Sequence, residues 1–138
     1  PPVTQATVAQ VRKVLAPVES EVLQDVEVNG DTYTHTIENG NDCTLLFDPV
    51  INKGIVKLEV LRVELLDGLG IADESVRYGR NERPGVRDRD KIVYHSCSGI
   101  ILHIGDRIEG NSGFSNRCRI GMEVYQYGIK SSQSYFLY

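Results

Sequence analysis

The chain has 138 residues, a length that favours a single domain with a sizeable buried core. Its 41% hydrophobic and 25% charged residues are typical of a soluble globular protein, and a formal net charge of −4 gives no reason to expect nucleic acid or an anionic membrane surface as a partner. No apolar run approaches the roughly 20 residues of a membrane span, and three cysteines without paired spacing indicate reduced thiols, so we expect a cytoplasmic protein.

The first segment, residues 1–21, is predicted to be a short helix or a linker. Val8 and Leu15 lie at helical spacing, and Pro17 ends the run. From residue 22 onward the apolar period changes to two, so we expect one β domain over residues 22–138.

Short alternating segments separated by Gly, Asn, Ser and Asp dominate the rest of the chain. They recur about every eight to twelve residues with almost no helix between them, which favours an antiparallel sandwich or barrel. Strands are expected at residues 33–37, 45–47, 56–65, 69–72, 91–94, 99–104, 106–109 and 119–127.

The stretch GLGIADESVRYGRNE, residues 68–82, joins a small apolar strand to a charged loop. A dinucleotide-binding fingerprint would need a third glycine where this chain has Asp73, followed by a helix. A carboxylate at that place would repel phosphate. Gly68 and Gly70 are therefore interpreted as small residues at a close approach between packed layers.

The candidate metal ligands are His95, Cys97, His103 and Cys118. Zinc usually takes two closely spaced ligand pairs, and no second close pair accompanies His95 and Cys97. We predict no metal site and interpret these residues as a partly buried cysteine with polar histidines near strand ends.

No arrangement of residues favours catalysis. Asp73 and Glu74 are adjacent and would point to opposite faces of a strand. No Ser–His–Asp or Cys–His spacing falls on a recognisable elbow or helix. We therefore predict a protein that is not an enzyme, and we expect no small-molecule substrate.

A cluster of basic residues follows the strand at 69–72 and is interrupted by three acidic residues, which leaves about three net positive charges. One interpretation is a solvated loop with internal salt bridges. The other is a rim of Arg and Tyr that binds an acidic or polar peptide, because both residue types are enriched at binding hot spots. The basic residues are Arg77, Arg80, Arg83, Arg87, Arg89 and Lys91.

Four stretches, in order and spacing, resemble the SPRY (B30.2-like) family, in particular its divergent forms in protist proteins. Leu58-Glu59 stands at the family's aromatic–Glu pair, and Tyr94 and Gly99 match its Tyr-x-x-x-x-Gly strand pair. The stretches are ENGNDCTLLFDPVINKGIVKLEVLRVE, GLGIADESVRYGRNERPG, VYHSCSGIILHIGDRIEGNSGF and RIGMEVYQY.

The resemblance implies an all-β fold, a bent antiparallel β-sandwich of two sheets with concanavalin-like architecture. It also implies a non-enzymatic protein-interaction module that takes no cofactor and whose loops at one end bind a peptide or loop of a partner, often within ubiquitin-ligase or scaffold assemblies. By position, the expected partner-binding residues are Asn39, Asn41, Arg77, Tyr78, Gly79, Arg80 and Tyr94.

The chain departs from the family in three places. It has no Trp, and Asn116-Arg117-Cys118-Arg119 replaces a Gly-Asp turn. After Tyr127 only a short apolar segment, residues 134–138, remains, so we expect the sandwich to lack its last strands or to be completed by other chain. This leaves two alternatives open: a structural subunit whose open sheet edge is completed by a neighbour, and, less favoured, a glycan-binding or hydrolytic sandwich.

Overall fold

A computed structural model describes residues 15–36, 40–51, 54–60, 65–126 and 133–138. Within these ranges the helical content is confined to two short 3₁₀ helices, Glu21–Asp25 and Arg89–Lys91, and strands are the main regular secondary structure. The all-β prediction is confirmed. The predicted N-terminal helix falls almost wholly on residues 1–14, outside the described residues.

All the strand pairs described are antiparallel. Seven strands form one sheet in the order β1-β4-β11-β6-β7-β8-β9, while β5 pairs with β10 and β2 pairs with β3. The strands are β1 (Ala16–Pro17), β2 (Val26–Asn29), β3 (Thr32–His35), β4 (Leu45–Ile51), β5 (Gly54–Val60), β6 (Gly68–Asp73), β7 (Ile92–Ser96), β8 (Ile101–His103), β9 (Asp106–Ile108), β10 (Ile120–Gln126) and β11 (Gln133–Leu137).

Strand β11 lies in the middle of the large sheet, between β4 and β6. Phe136 stands opposite Leu46 on one side and Gly70 on the other, and it is fully buried. The segment that looks like a remnant in the sequence therefore supplies a central strand of the core.

Two glycines of β6 make room for aromatic rings. A Cβ atom on Gly68 would lie 2.3 Å from the ring of Tyr94, and one on Gly70 would lie 2.7 Å from the ring of Phe136 and 2.0 Å from the carbonyl oxygen of Val93. The rings of Tyr94 and Phe136 stack with their centroids 5.9 Å apart. The two glycines do mark a close approach, but the prediction that it lies between packed layers is wrong: their neighbours belong to β7 and β11, the strands on either side of β6 in the same sheet.

The β5–β10 pair is amphipathic and adds the second layer. Leu58 faces Met122 and Val56 faces Val124 across the pair, and all four pack into or against the core. On the opposite face Lys57 forms an ion pair with Glu123 at 3.3 Å, and Arg119 pairs with Glu59 at 2.8 Å. Alternation of period two places these apolar and charged sets on opposite faces.

Residues before position 22 also contribute to the domain. Ala16 and Pro17 of β1 pair with Asp48 and Phe47, and the Val18 N–H donates to the Leu46 carbonyl at 2.8 Å. The following 3₁₀ helix buries Val22 and Asp25. The part of the predicted linker that the structure describes is therefore attached to the large sheet.

Candidate functional site: the arginine loop

The arginine loop, residues 74–91, follows β6 and is held by buried side chains at its start. Asp73 Oδ1 accepts hydrogen bonds from the backbone N–H and the hydroxyl of Ser75, at 2.9 and 2.6 Å. After this turn Val76 and Tyr78 both enter the core, with the Tyr78 ring edge-on to Phe136 at 6.2 Å. The loop is thus anchored by alternate apolar residues.

The expectation that the loop shows Tyr78 to solvent is wrong. Tyr78 is 4% exposed and Tyr94 is 8% exposed, so neither ring offers a surface to a partner. Burial, with the nearby carboxylates of Asp88 and Glu82, raises the pKa of Tyr78 to about 12. An aromatic residue in a charged loop gives no periodic signal, and here burial of the ring outweighs the polar context.

Arg80 and Asn41, two of the predicted binding residues, meet on a buried carboxylate. Arg80 donates through Nε and Nη2 to Oδ2 and Oδ1 of Asp25, at 3.1 and 2.9 Å, and Asn41 Nδ2 lies 3.5 Å from Oδ2. Asp25 is 1% exposed. This hydrogen bonding and the Asp25 charge raise the pKa of Arg80. The pair attaches the loop to the 3₁₀ helix, whereas Asn39 lies outside the described residues.

Glu82 organises the middle of the loop. Its carboxylate accepts hydrogen bonds from the Gly79 N–H at 3.1 Å and from Arg87 Nη2 at 2.8 Å. Its carbonyl accepts the buried Thr44 hydroxyl at 2.8 Å. Gly79 therefore serves the internal structure of the loop, and internal salt bridges account for part of its basic cluster.

A tight turn forms the outer part of the loop. The Val86 N–H donates to the Arg83 carbonyl at 3.3 Å, Pro84 takes the second position and Gly85 has φ of 80°, as in a type II β-turn. Arg89 lies over this turn, with Cγ and Nε 3.8 Å from where a Cβ on Gly85 would stand. We call Arg83, Val86 and Arg89 the turn tip; Val86 is 56% exposed.

Three guanidinium groups of the loop form no ion pair with any residue that the structure describes. Arg87 and Lys91 pair with Glu82 and Asp88 inside the loop, at 2.8 and 4.0 Å. Among the described residues, no carboxylate lies within 4.0 Å of Arg77, Arg83 or Arg89. The sequence shows the basic cluster, but only the three-dimensional contacts show which of its members form ion pairs.

Arg77 belongs to the start of the loop, where backbone carbonyl oxygens hold its guanidinium group. Its Nη1 donates to the carbonyl oxygens of Glu74 and Val76, at 2.7 and 2.8 Å. These carbonyls fix the guanidinium group without neutralising it, so the group adds positive charge near the start of the loop.

Other kinds of site find little support in the described ranges. They contain no group of three or more His, Cys, Asp and Glu residues placed to hold a metal ion. His95 Nε2 instead lies 2.8 Å from the Ser112 carbonyl oxygen. Over the same ranges, none of the helices has the length and apolar character needed to cross a bilayer.

Comparisons of the chain with protein-family models, curated proteins and solved structures find no match. The resemblance to SPRY domains stays a prediction, as do the partners that this resemblance implies.

Proposed function

We propose that the protein is a non-enzymatic interaction module that binds an acidic segment of a partner protein through the arginine loop. The observation that carries this proposal is a set of guanidinium groups, those of Arg77, Arg83 and Arg89, that have no carboxylate within 4.0 Å in the described part of the chain, on a loop whose backbone is anchored to the core. Guanidinium groups bind carboxylates in bidentate geometry, and a rigid loop loses little conformational freedom on binding.

The turn tip is the centre of the proposed surface. Arg83 and Val86 stand at the two ends of the β-turn, and Arg89 lies over it. A partner with a carboxylate on either side of an apolar side chain would complement this arrangement. Charged groups around a small apolar contact are typical of interaction surfaces.

The proposal agrees with what the SPRY resemblance implies, a sandwich that presents its binding residues on loops. By the same resemblance we propose a role in a ubiquitin-ligase or scaffold assembly. The three cysteines are free, which supports a reducing compartment, and we propose the cytoplasm.

Binding of an acidic peptide tests the proposal. The probe is a fluorescein-labelled peptide of ten residues in which Glu and Asp flank a central Leu, and anisotropy measures its affinity at two salt concentrations. We expect the double variant Arg83→Glu/Arg89→Glu to bind at least about tenfold more weakly than the wild type, since like charges then face each other. Wild-type affinity should fall as salt rises.

Arg107→Glu/Arg119→Glu is the matched control, because it changes the net charge equally and both arginines lie outside the arginine loop, paired with Glu109 at 2.9 Å and Glu59 at 2.8 Å. This double charge reversal should change the affinity by less than about threefold through long-range effects. An equal loss in both variants would show attraction to net charge rather than a site. A wild type that does not bind the peptide would refute the proposal.

A second candidate function, a structural subunit completed by a neighbour, is favoured by strand β9. Among the described residues this strand pairs only with β8 and ends the large sheet, and its three residues are exposed. Ile108 within the strand is 46% exposed, and Ile104 in the turn before it is 56% exposed. An open edge with apolar residues is a template for strand addition.

Light scattering after size exclusion separates the two candidates. The interaction module stays a monomer over a wide concentration range. The subunit self-associates, and Ile108→Pro, which disrupts the edge, abolishes that association.

A further inference from the structure

We propose that a cleft beside the end of β7 is a redox-reactive dithiol site, in which a hydroperoxide oxidises Cys118 and Cys97 then closes a disulfide with it. The cleft has a volume of about 520 Å³. We call it the thiol cleft; it is lined by Cys97, Gly113, Phe114, Ser115, Cys118 and Arg119.

Close backbone packing brings the two sides of the thiol cleft together. The Phe114 N–H donates to the Cys97 carbonyl at 3.0 Å, and a Cβ on Gly113 would lie 2.1 Å from that carbonyl oxygen. Likewise, a Cβ on Gly99 would lie 2.0 Å from the carbonyl oxygen of Asn111. Only glycine permits such approaches, so the segment 111–114 lies directly on the turn that carries Cys97.

A second turn brings Cys118 back to the same cleft. The Cys118 N–H donates to the Ser115 carbonyl at 3.3 Å, and Arg117 takes a left-handed conformation with φ of 66°. The Ser115 hydroxyl lies 3.4 Å from Cys118 Sγ. A hydroxyl that donates to sulfur stabilises a thiolate, and these hydrogen bonds lower the pKa of Cys118.

The third cysteine provides an internal contrast. Burial and the nearby carboxylate of Asp25 raise the pKa of Cys43 to about 11. The raised pKa disfavours the thiolate form of Cys43, which is the reactive form of a cysteine. The chain thus combines one thiol that ionises less readily than usual with two that line an open cleft.

The chemistry balances in two steps. The Cys118 thiolate attacks one oxygen of the hydroperoxide, so that an S–O bond forms, the O–O bond breaks, and the departing oxygen takes a proton. The Cys97 sulfur then attacks the sulfenic sulfur; the S–S bond forms, the S–O bond breaks, and the departing hydroxide takes the proton of the Cys97 thiol and leaves as water. Two thiols lose two electrons in total, the hydroperoxide gains them, and an external thiol reverses the reaction.

The test uses hydrogen peroxide on the full chain, followed by intact mass measurement and non-reducing peptide mapping. Wild type and Cys43→Ser should each lose two hydrogen atoms and yield a Cys97–Cys118 peptide pair. Cys97→Ser should accumulate a sulfenic acid at residue 118 that dimedone captures, and Cys118→Ser should form no disulfide. Thermal melts of each variant confirm that it folds.

A rate measurement tests the role of Ser115. Ser115→Ala should slow alkylation of Cys118 by iodoacetamide at least about twofold at neutral pH, while alkylation of Cys43 stays unchanged. A disulfide that involves Cys43, equal oxidation of all three cysteines, or sulfenic acid that persists in the wild type without disulfide formation would each overturn the proposal.

Discussion

The two side chains of the Asp25–Arg80 ion pair differ in their exposure to solvent. The Asp25 side chain is 1% exposed, whereas that of Arg80 is 41% exposed. Removing the arginine leaves the buried carboxylate without its guanidinium partner, whereas removing the carboxylate leaves a guanidinium group that water can reach. Breaking a buried pair is costly because of the charge that is left behind.

We therefore predict that Arg80→Ala lowers the free energy of unfolding more than Asp25→Asn does, measured by urea denaturation. In Asp25→Asn the neutral amide can still bond to Asn41. The control is Arg107→Ala, which breaks an exposed pair and should change stability by less than about 0.5 kcal/mol. If Arg80→Ala were as mild as this control, the pair would not anchor the loop.

Single residues also show where sequence reasoning stops. The basic character of Arg80 is visible in the sequence, but its partner Asp25 lies 55 positions earlier in the chain. Tyr78 is misread for a related reason, since a loop has no period from which its buried side can be inferred. Both features depend on contacts between distant segments.

The β-turn Arg83–Val86 fixes the backbone conformation of the proposed binding surface. Gly85→Ala would place a side chain at a φ of 80° and 3.2 Å from Leu102 Cδ1. We predict a loss of about 1–2 kcal/mol in stability and weaker binding of the acidic peptide, although no charge changes.

Gly105→Ala is the matched control for this variant. Gly105 has φ of 91° and no atom within 4 Å of its added Cβ, and it lies in the β8–β9 hairpin. Both variants place an alanine at positive φ, but only Gly85 lies in the proposed binding surface. Only Gly85→Ala should therefore lower the affinity that peptide anisotropy measures. An equal effect of both would attribute the loss to global destabilisation.

The close packing around Gly70 in strand β6 can be tested by substitution. Gly70→Ala forces a methyl group against the Val93 carbonyl and the Phe136 ring, and we expect it to destabilise the protein by about 2–3 kcal/mol. Gly121→Ala in β10 meets nothing within 4 Å and should be neutral or slightly stabilising. Urea denaturation of both variants measures the difference; equal stabilities would contradict the close packing.

The sequence predicts where some strands lie along the chain, but it does not predict how all of them pair in the sheet. Strand β10 follows from its strict alternation, and β6 follows from a small apolar run bounded by turn residues. The place of β11 does not follow, because alternation shows which face of a strand is buried but not which strands it pairs with. Its insertion between β4 and β6 depends on ring packing over Gly70.

Buried phenols and one half-buried thiol make the free energy of unfolding of the whole protein depend on pH in the alkaline range. Burial raises the pKa of Tyr135 from 10.0 to about 12, and the pKa of Tyr78 rises similarly. The pKa of Cys43 rises from 9.0 to about 11. The folded state therefore holds these protons more tightly than the unfolded chain does, and folding stability falls wherever only the unfolded chain has lost them.

We predict full stability below about pH 9 and a progressive loss between about pH 9 and 12, measured by urea midpoints. A difference of two in pKa corresponds to at most about 2.7 kcal/mol for each phenol. Tyr135→Phe should reduce this dependence, and it breaks no hydrogen bond because the hydroxyl has no partner within the described residues. An unchanged slope in that variant would refute the contribution of Tyr135.

The position of β11 has a consequence for how the protein is made. Strands β6 to β9 form a meander of sequential neighbours that can assemble locally, while β1 and β4 pair separately. In the sheet, β11 alone joins these two groups. During synthesis the facing edges of β4 and β6 must stay unpaired until residues 133–137 have left the ribosome. The nascent chain is therefore most exposed to misassembly just before its core closes.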